Sequence, residues 1–206
     1  MNVIRLQNSP YDANAYLVDG KILVDAGMDA QAIISQLEKL IKPGELETII
    51  LTHCHYDHSG GAAQVAKAFG AKIAIHKDDA PLLNNPRGSA SELFGERAPS
   101  VIPDILLSGG EIFGGLEVIH TPGHTPGGIC LYSALEKALF SGDTVFPDGS
   151  FGRTDLAGGN AGKLIESIKK LTLLDVSVMY PGHEDIVNRG ANEQIRMSLM
   201  LASQYS

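Results

Sequence analysis

Apolar residues in the first half of the chain switch between the alternation typical of strands and the spacing typical of helices. Asp29 is a residue type that caps helix N-termini, and Pro43, Gly44 and Gly70 are residues that end helices. The strands predicted in this half span 14–18, 22–24, 48–51 and 72–76, and the helices span 30–41 and 62–69.

The second half opens with an irregular segment over 77–104 that is rich in Pro and Gly, and we expect short helices and a surface excursion that shapes a substrate pocket. Strands are then predicted over 105–107, 116–120, 128–132, 138–140 and 176–180, and helices over 163–171 and 191–202. Strands followed by a helix, repeated in two halves, predict an α/β fold in which helices cover both faces of two stacked sheets. We expect one domain over 1–206, made of two packed halves.

The composition narrows the class of protein. The hydrophobic fraction of 44% and charged fraction of 19% are those of a globular chain, and the 206 residues are enough to bury a large core. The formal net charge of −8 argues against a nucleic-acid partner. No apolar run reaches the length of a membrane span, and the first residues do not resemble a signal peptide. We therefore expect a cytoplasmic protein without a membrane partner.

The most informative motif is a run of metal-ligand residues between a predicted strand and a predicted helix. It contains His53, His55, Asp57 and His58 within six positions. Imidazole nitrogens and carboxylate oxygens bind zinc, iron and related metals. Loops at the carboxyl ends of strands are also where α/β sheets place ligands. The run predicts a metal site, and the alternative is an exposed polar loop that is rich in histidine.

The two cysteines are predicted to be packing residues and not part of a disulfide framework. Cys54 lies between two proposed ligands, and neighbouring residues of an extended segment face opposite ways. If His53 and His55 face a metal, Cys54 faces away from it. Cys130 lies in an apolar strand.

Three further candidate ligands follow strands in the second half. They are His124, Asp143 and His183, and each comes directly after a glycine. Such tight turns let a side chain approach a ligand. Taken alone, each of the three is weak evidence, since a single His after Pro-Gly is more often an ordinary turn residue.

Together these segments resemble the metallo-β-lactamase superfamily. The resemblance rests on Asp25-Ala26-Gly27 after an early strand, the His-x-His-x-Asp-His run, and the three later ligands in order, and it covers nearly the whole chain. It implies a four-layer αββα sandwich with a metal cleft at one edge. The implied ligands of the first metal are His53, His55 and His124, those of the second are Asp57, His58 and His183, and Asp143 bridges both. Asp25 is implied to support the histidine loop, although it is also explained as a turn residue.

The resemblance implies two divalent metal ions, expected to be zinc, with iron or manganese also compatible. Two adjacent cations lower the pKa of a water, so that a metal-bound hydroxide can attack an ester-like carbonyl. Asp57 is the candidate catalytic residue, because it could orient that hydroxide while binding the second metal.

The segment 146–156 and the pair His183-Glu184 resemble the glyoxalase II-like branch, which hydrolyses glutathione thioesters. Arg153 and Asp155 would then brace the metal loop, and a surface ion pair is an equally good explanation. The larger enzymes of that branch carry a helical C-terminal domain that binds glutathione, and we expect this protein to be a short form without it. The expected substrate is a small-molecule thioester or related ester, and the sequence does not indicate an oligomeric state.

Two alternatives share the fold. A persulfide dioxygenase-like oxidoreductase would hold one iron through His53, His55 or His124, together with Asp143. A lactonase or another hydrolase of this fold would use the same two-metal site. His76 and His120, at predicted strand ends, are expected to be hydrogen-bonded strand-end residues and not metal ligands.

Overall fold

The computed structural model of the protein describes residues 1–6 and 12–204. The chain divides into two compact units, Met1–Leu107 and Ser108–Ser206. Each unit contains one mixed sheet and its own helices, so the predicted α/β class is confirmed. That both units belong to one domain stays a prediction.

The first unit is built on a six-stranded sheet whose strands are adjacent in the order of the chain. The strands are β1 (Val3–Leu6), β2 (Ala15–Val18), β3 (Ile22–Val24), β4 (Thr48–Ile50), β5 (Lys72–His76) and β6 (Ile105–Leu107). The first three pair antiparallel, and β3 to β6 pair parallel. Because parallel strands end at one edge, the residues that follow β3, β4 and β5 lie at that same edge.

Helices of the first unit pack on this sheet through apolar side chains. The helices are α1 (Ala30–Leu37), α2 (Tyr56–Ser59), α3 (Ala62–Phe69) and α4 (Ala80–Leu83), with a 3-10 turn at Ser91–Phe94. Ile33, Leu37, Val65 and Phe69 join alternate strand residues in a continuous buried core. Burying a side chain of this size contributes about 1.5–3 kcal/mol, so the core holds the strand ends rigidly.

The second unit has a five-stranded sheet in the order β11-β10-β9-β8-β7. Its strands are β7 (Ile112–Phe113), β8 (Leu116–His120), β9 (Ile129–Ser133), β10 (Ala138–Gly142) and β11 (Val178–Pro181). Since β9 runs antiparallel to both β8 and β10, and β10 runs parallel to β11, three strands share one direction. These are β8, β10 and β11, and the segments that follow them leave the sheet at the same edge.

Two long helices support this sheet, α5 (Ala161–Leu171) and α6 (Ala191–Ala202), and a 3-10 turn spans Pro147–Gly149. Leu164, Ile168 and Ile195 bury their side chains together with Leu139 and Met179 of the strands. Asn160 caps α5 by accepting a hydrogen bond from the main-chain N–H of Lys163 at 2.9 Å. Within the described residues, no helix has the length and apolar character needed to span a membrane.

Most predicted elements are confirmed within one or two residues, and the exceptions have physical reasons. The first helix is shorter than predicted: α1 ends at Leu37, where the N–H groups of Lys39 and Leu40 bond three residues back and tighten the chain into a turn. Strands β1 and β7 were not predicted. Both are short edge strands, whose few residues carry little periodic signal.

Candidate metal centre

The His-x-His-x-Asp-His run forms a compact turn after β4 in the first unit. Its three imidazoles are almost fully buried, with relative exposures of 1% for His53, 4% for His55 and 0% for His58. The ring centroid of His53 lies 4.7 Å from that of His55 and 4.1 Å from that of His58. Nε2 of His53 and Nδ1 of His55 approach to 3.1 Å. The turn therefore directs imidazole nitrogens from different residues towards each other.

The protonated nitrogen of His53 follows from its hydrogen-bond partners. Thr52 donates its hydroxyl hydrogen to Oδ2 of Asp25 at 2.8 Å. The same hydroxyl oxygen lies 3.1 Å from Nδ1 of His53 and has no second hydrogen to give. Nδ1 of His53 must therefore donate, which leaves the lone pair on Nε2. A neutral imidazole binds a metal through such a nitrogen.

The same carboxylate fixes His58. Oδ2 of Asp25 lies 2.8 Å from Nδ1 of His58, and Oδ1 accepts the main-chain N–H of Thr52 at 2.7 Å. An ionised carboxylate only accepts, so Nδ1 of His58 carries the hydrogen and Nε2 carries the lone pair. That Nε2 lies 3.7 Å from Oδ2 of Asp57. Asp25 thus orients two members of the histidine turn, as metal-ligating histidines require of their outer partners.

In the second unit, His124, Asp143 and His183 follow β8, β10 and β11, the strands that share one direction. Oδ2 of Asp143 lies 3.5 Å from Nε2 of His124 and 3.6 Å from Nε2 of His183. Nδ1 of His124 lies 2.7 Å from the carbonyl oxygen of Arg153, and a carbonyl only accepts. The lone pair of His124 is therefore on Nε2, directed at the carboxylate.

The donor set fits a transition-metal ion. A lone pair of imidazole that faces a carboxylate oxygen is repelled unless a cation lies between them. Zn–N and Zn–O bonds of about 2.0–2.2 Å at a tetrahedral angle place two ligand atoms about 3.4 Å apart. The nitrogen–oxygen distances of 3.5, 3.6 and 3.7 Å are close to this value and longer than hydrogen bonds. The residues present in each unit can therefore hold a metal.

Glycine is required where the ligand turns approach other backbone. A Cβ at Gly61 would lie 2.6 Å from the carbonyl oxygen of Ala26, beside the Asp25 turn. Gly123 has φ +141° and lies so close to the first turn of α5 that a Cβ would collide with the backbone of Leu164. These approaches fix the histidine turn in the first unit and the position of His124 in the second.

Arg153 contributes through its main chain. Its guanidinium forms two hydrogen bonds of 2.7 and 2.6 Å with the carboxylate of Asp155. Both side chains are more than half exposed. The side chains therefore form a surface ion pair, one of the two explanations the sequence allowed, while the carbonyl of Arg153 orients His124.

Two residues of the first unit were missed by the sequence analysis. Thr52 belongs to the motif run, but its hydroxyl acquires a role only because Asp25 lies beside it. Asp12 is 7% exposed, accepts the main-chain N–H of Met28 at 2.8 Å, and so secures the turn after Asp25. Burial raises the pKa of Asp12, main-chain hydrogen bonds oppose the shift, and the charge of Asp57 adds to it. No sequence pattern marks Asp12, because its partners lie far along the chain.

The two cysteines are free and buried, as predicted, whereas the expectation that His76 and His120 are not metal ligands stays a prediction. The thiol of Cys54 is buried 3.4 Å from the carbonyl oxygen of Gly88, and burial raises its pKa well above the usual value. Cys130 is buried in β9, and burial raises its pKa to about 11. His76 and His120 each make a main-chain hydrogen bond, with Asp78 N and Pro126 O respectively.

The chain is similar to the members of a known protein family. The sequence model of the metallo-β-lactamase superfamily matches residues 8–183. A probable metallo-hydrolase of Methanocaldococcus jannaschii is 34% identical, covering 92% of this chain and 96% of its own. A protein of Haemophilus influenzae named hydroxyacylglutathione hydrolase GloC is 31% identical, covering 94% and 96%.

Solved structures agree with the fold. The B3 metallo-β-lactamase BLEG-1 superposes with a TM-score of 0.80 at 33% identity, covering 90% of this chain and 93% of its own. TTHA1623 in a di-iron-bound form superposes with a TM-score of 0.80 at 30% identity, covering 97% of each chain. The predicted metallo-β-lactamase fold is thereby confirmed.

A fold of two mixed sheets with histidine and aspartate clusters beyond the strand ends defines a metallo-hydrolase. The chain belongs to the metallo-β-lactamase superfamily.

Proposed function

We propose that this metallo-hydrolase cleaves a small-molecule thioester or related ester, with a site like that of glyoxalase II. One observation carries the proposal: in each unit a histidine with Nδ1 held as a donor directs its bare Nε2 at a carboxylate, His58 at Asp57 and His124 at Asp143. Such pairs supply metal ligands of the kind that hydrolytic zinc sites use.

Seven residues would hold two divalent metal ions, for which we propose zinc. His53, His55 and His124 would bind the first ion, Asp57, His58 and His183 the second, and Asp143 both. When bound, the two ions lower the pKa of a water and polarise the carbonyl that it attacks. The di-iron form of TTHA1623 makes iron the first alternative for metal identity.

The residues of the chain prepare this chemistry before substrate arrives. Asp57 is the proposed catalytic residue, and its side chain is 13% exposed, so its carboxylate can still reach a water from solvent. It would accept a hydrogen bond from the attacking water and hold its oxygen towards the carbonyl. Asp25, Thr52 and the carbonyl of Arg153 keep His53, His58 and His124 in the tautomer whose lone pair is on Nε2.

Thioester specificity is supported by two similarities. The segment 146–156, which supplies the carbonyl of Arg153, resembles the glyoxalase II-like branch. The relative named hydroxyacylglutathione hydrolase is matched over 96% of its own length. A protein with that name can therefore be almost as short as the region aligned with this chain. We propose that the protein is cytoplasmic and acts without a nucleic-acid or membrane partner, in keeping with its net charge of −8.

The test combines metal content with a substrate panel. The purified protein would be analysed by metal mass spectrometry, then assayed on S-lactoylglutathione, non-glutathione thioesters, a lactone and a β-lactam. We expect about two metal ions per chain and fastest hydrolysis of a thioester, abolished by a chelator and restored by zinc. If the protein hydrolyses the β-lactam or the lactone fastest, the proposed thioesterase activity is wrong. If it hydrolyses none of the substrates, the proposal that it is a hydrolase is wrong. One iron per chain, with oxygen consumed on glutathione persulfide, would establish the dioxygenase instead.

A further inference from the structure

Residues 79–101, which we call the brace, form a segment of the first unit that follows β5 and contacts the histidine turn. The sequence predicted short helices and a surface excursion there, and the short helices are present. Several of its residues are instead fully buried, and the exposed fraction is 0% for Asp79, Ser89, Ser91 and Val101. Because this segment is anchored in the core, it can hold the residues that it contacts in fixed positions.

The brace receives the main-chain N–H groups that lie between the proposed ligands. Cys54 N–H, between His53 and His55, donates to Oδ2 of Asp79 at 2.9 Å. Tyr56 N–H, between His55 and Asp57, donates to the carbonyl oxygen of Ser89 at 2.8 Å. One side of the histidine turn is therefore bonded to the brace through both of these N–H groups.

The brace is itself held by a dense set of hydrogen bonds. The side chain of Asn84 bonds both main-chain groups of Val101, at 2.8 and 3.1 Å. The side chain and carbonyl of Asn85 accept from the N–H groups of Gly88 and Ser89, at 2.9 and 2.8 Å. Asp79 N–H donates to the carbonyl of His76 at the end of β5. The acceptors of the histidine turn therefore have fixed positions.

In the described contacts, one of the two N–H groups is accepted by a main-chain carbonyl and the other by a side chain, that of Asp79. The free-energy cost of burying this carboxylate indicates that it has a specific role. A carboxylate at 0% exposure is expensive to bury unless hydrogen bonds stabilise it. An apolar residue there would leave Cys54 N–H, at the centre of the ligand run, without its acceptor. The carboxylate instead locks the main chain that carries His53 and His55.

We propose that Asp79 is a positioning residue, which sets the metal affinity of the histidine turn by fixing its main chain through Cys54. It binds no metal itself and acts through residues that the proposed function makes ligands, so the inference rests on that function. The brace would then pre-organise the site, because ligands that are already in place lose less conformational freedom when a metal binds.

The experiment measures zinc affinity directly, by competition with a chromophoric chelator, on metal-stripped full-length protein. Asp79→Leu replaces the acceptor with an apolar side chain of the same branching, and should weaken zinc binding about 10–100-fold. Asp79→Asn keeps a carbonyl oxygen for Cys54 N–H and should retain most of the affinity. Asp19→Asn, the same substitution at an exposed residue of the same unit, is the matched control and should bind as the wild type does.

Circular dichroism and melting temperature would accompany each titration. A lower melting temperature of Asp79→Leu with unchanged zinc affinity would show a merely structural role and overturn the proposal, as would equal losses in the Leu and Asn variants. If Asp79→Leu does not fold, Asp79→Glu decides: its carboxylate lies one methylene further out and should weaken zinc binding by displacing the turn, and unchanged affinity would refute the inference. Substrate turnover does not enter this readout, so failure of the thioesterase assignment is seen separately.

Discussion

The carboxylate of Asp25 and the imidazole of His58 are joined by a hydrogen bond of 2.8 Å across 33 positions of sequence, at a site where both side chains are buried. The bond decides which imidazole nitrogen carries the hydrogen. It leaves Nε2 of His58 as a lone pair facing Asp57, the arrangement that a metal requires. Replacing Asp25 should therefore weaken metal binding by His58, although His58 itself is unchanged.

Asp25→Asn is expected to reduce zinc affinity by about 10–100-fold. The amide can still accept from Thr52, but its NH₂ group would face Nδ1 of His58 and favour the tautomer with a hydrogen on Nε2. The measurement is chelator competition. Asp19→Asn, in an exposed turn of the same unit, is the control. Wild-type affinity in Asp25→Asn would contradict the assigned tautomer.

Thr52→Val should destabilise the metal-free protein by about 1–3 kcal/mol, because Nδ1 of His53 loses its buried acceptor. Valine matches threonine in shape, so packing is preserved. Thr52→Ser keeps the hydroxyl and should restore most of the stability. Denaturant unfolding of the three proteins checks this, and equal stability of the valine and wild-type forms would show that the hydroxyl does not hold His53.

Asp57→Asn tests the proposed catalytic residue. Loss of the ionised carboxylate should lower kcat by about 10²–10⁴-fold, since an amide neither orients water as strongly nor holds its proton. Zinc content must be measured in the same samples, because Asp57 is also a proposed ligand. A variant with full zinc content and undiminished kcat would remove Asp57 from the mechanism.

Asp155→Asn should leave zinc affinity unchanged, because His124 is held by the carbonyl of Arg153, and should lower the melting temperature at neutral pH only slightly, because solvent screens the exposed ion pair. The hydrogen bonds from Arg153 lower the pKa of Asp155 to about 2. A lowered pKa gives a contribution that is complete above the unfolded pKa of about 3.9 and is lost as pH falls towards 2. A change of zinc affinity at neutral pH would instead assign the side chains a role in the site.

The two thiols should be unreactive in the native protein. Burial raises the pKa of Cys54 well above its usual value and that of Cys130 to about 11, so neither forms the thiolate that attacks a disulfide reagent. Both should react after unfolding. Because the folded pKa is raised, the unfolding free energy should decline as pH rises above about 8.5, where the unfolded thiols ionise. Rapid labelling of folded protein at mild pH would contradict this.

Some ends of the helices could be predicted from the sequence, and others could not. The terminal helix over 191–202 was predicted at its observed bounds, because its apolar spacing is regular and Gly190 marks its start. The helix predicted to Ile41 ends at Leu37, since apolar residues of the following turn continue the pattern while the backbone bonds change. Periodicity reports burial of side chains and not the hydrogen bonds that define an element.

The sequence by itself indicated metal chemistry, because imidazole and carboxylate groups at strand ends are visible as residue types and spacings; the candidate ligands are His53, His55, Asp57 and His58 in the first unit and His124, Asp143 and His183 in the second. Only the tertiary structure decided which nitrogens are bare and what holds them. Asp25, Asp12 and Asp79 act through hydrogen bonds of 2.7–2.9 Å to residues 16 or more positions away. Such bonds depend on the parallel strands that bring distant turns to one sheet edge, and no local pattern records them.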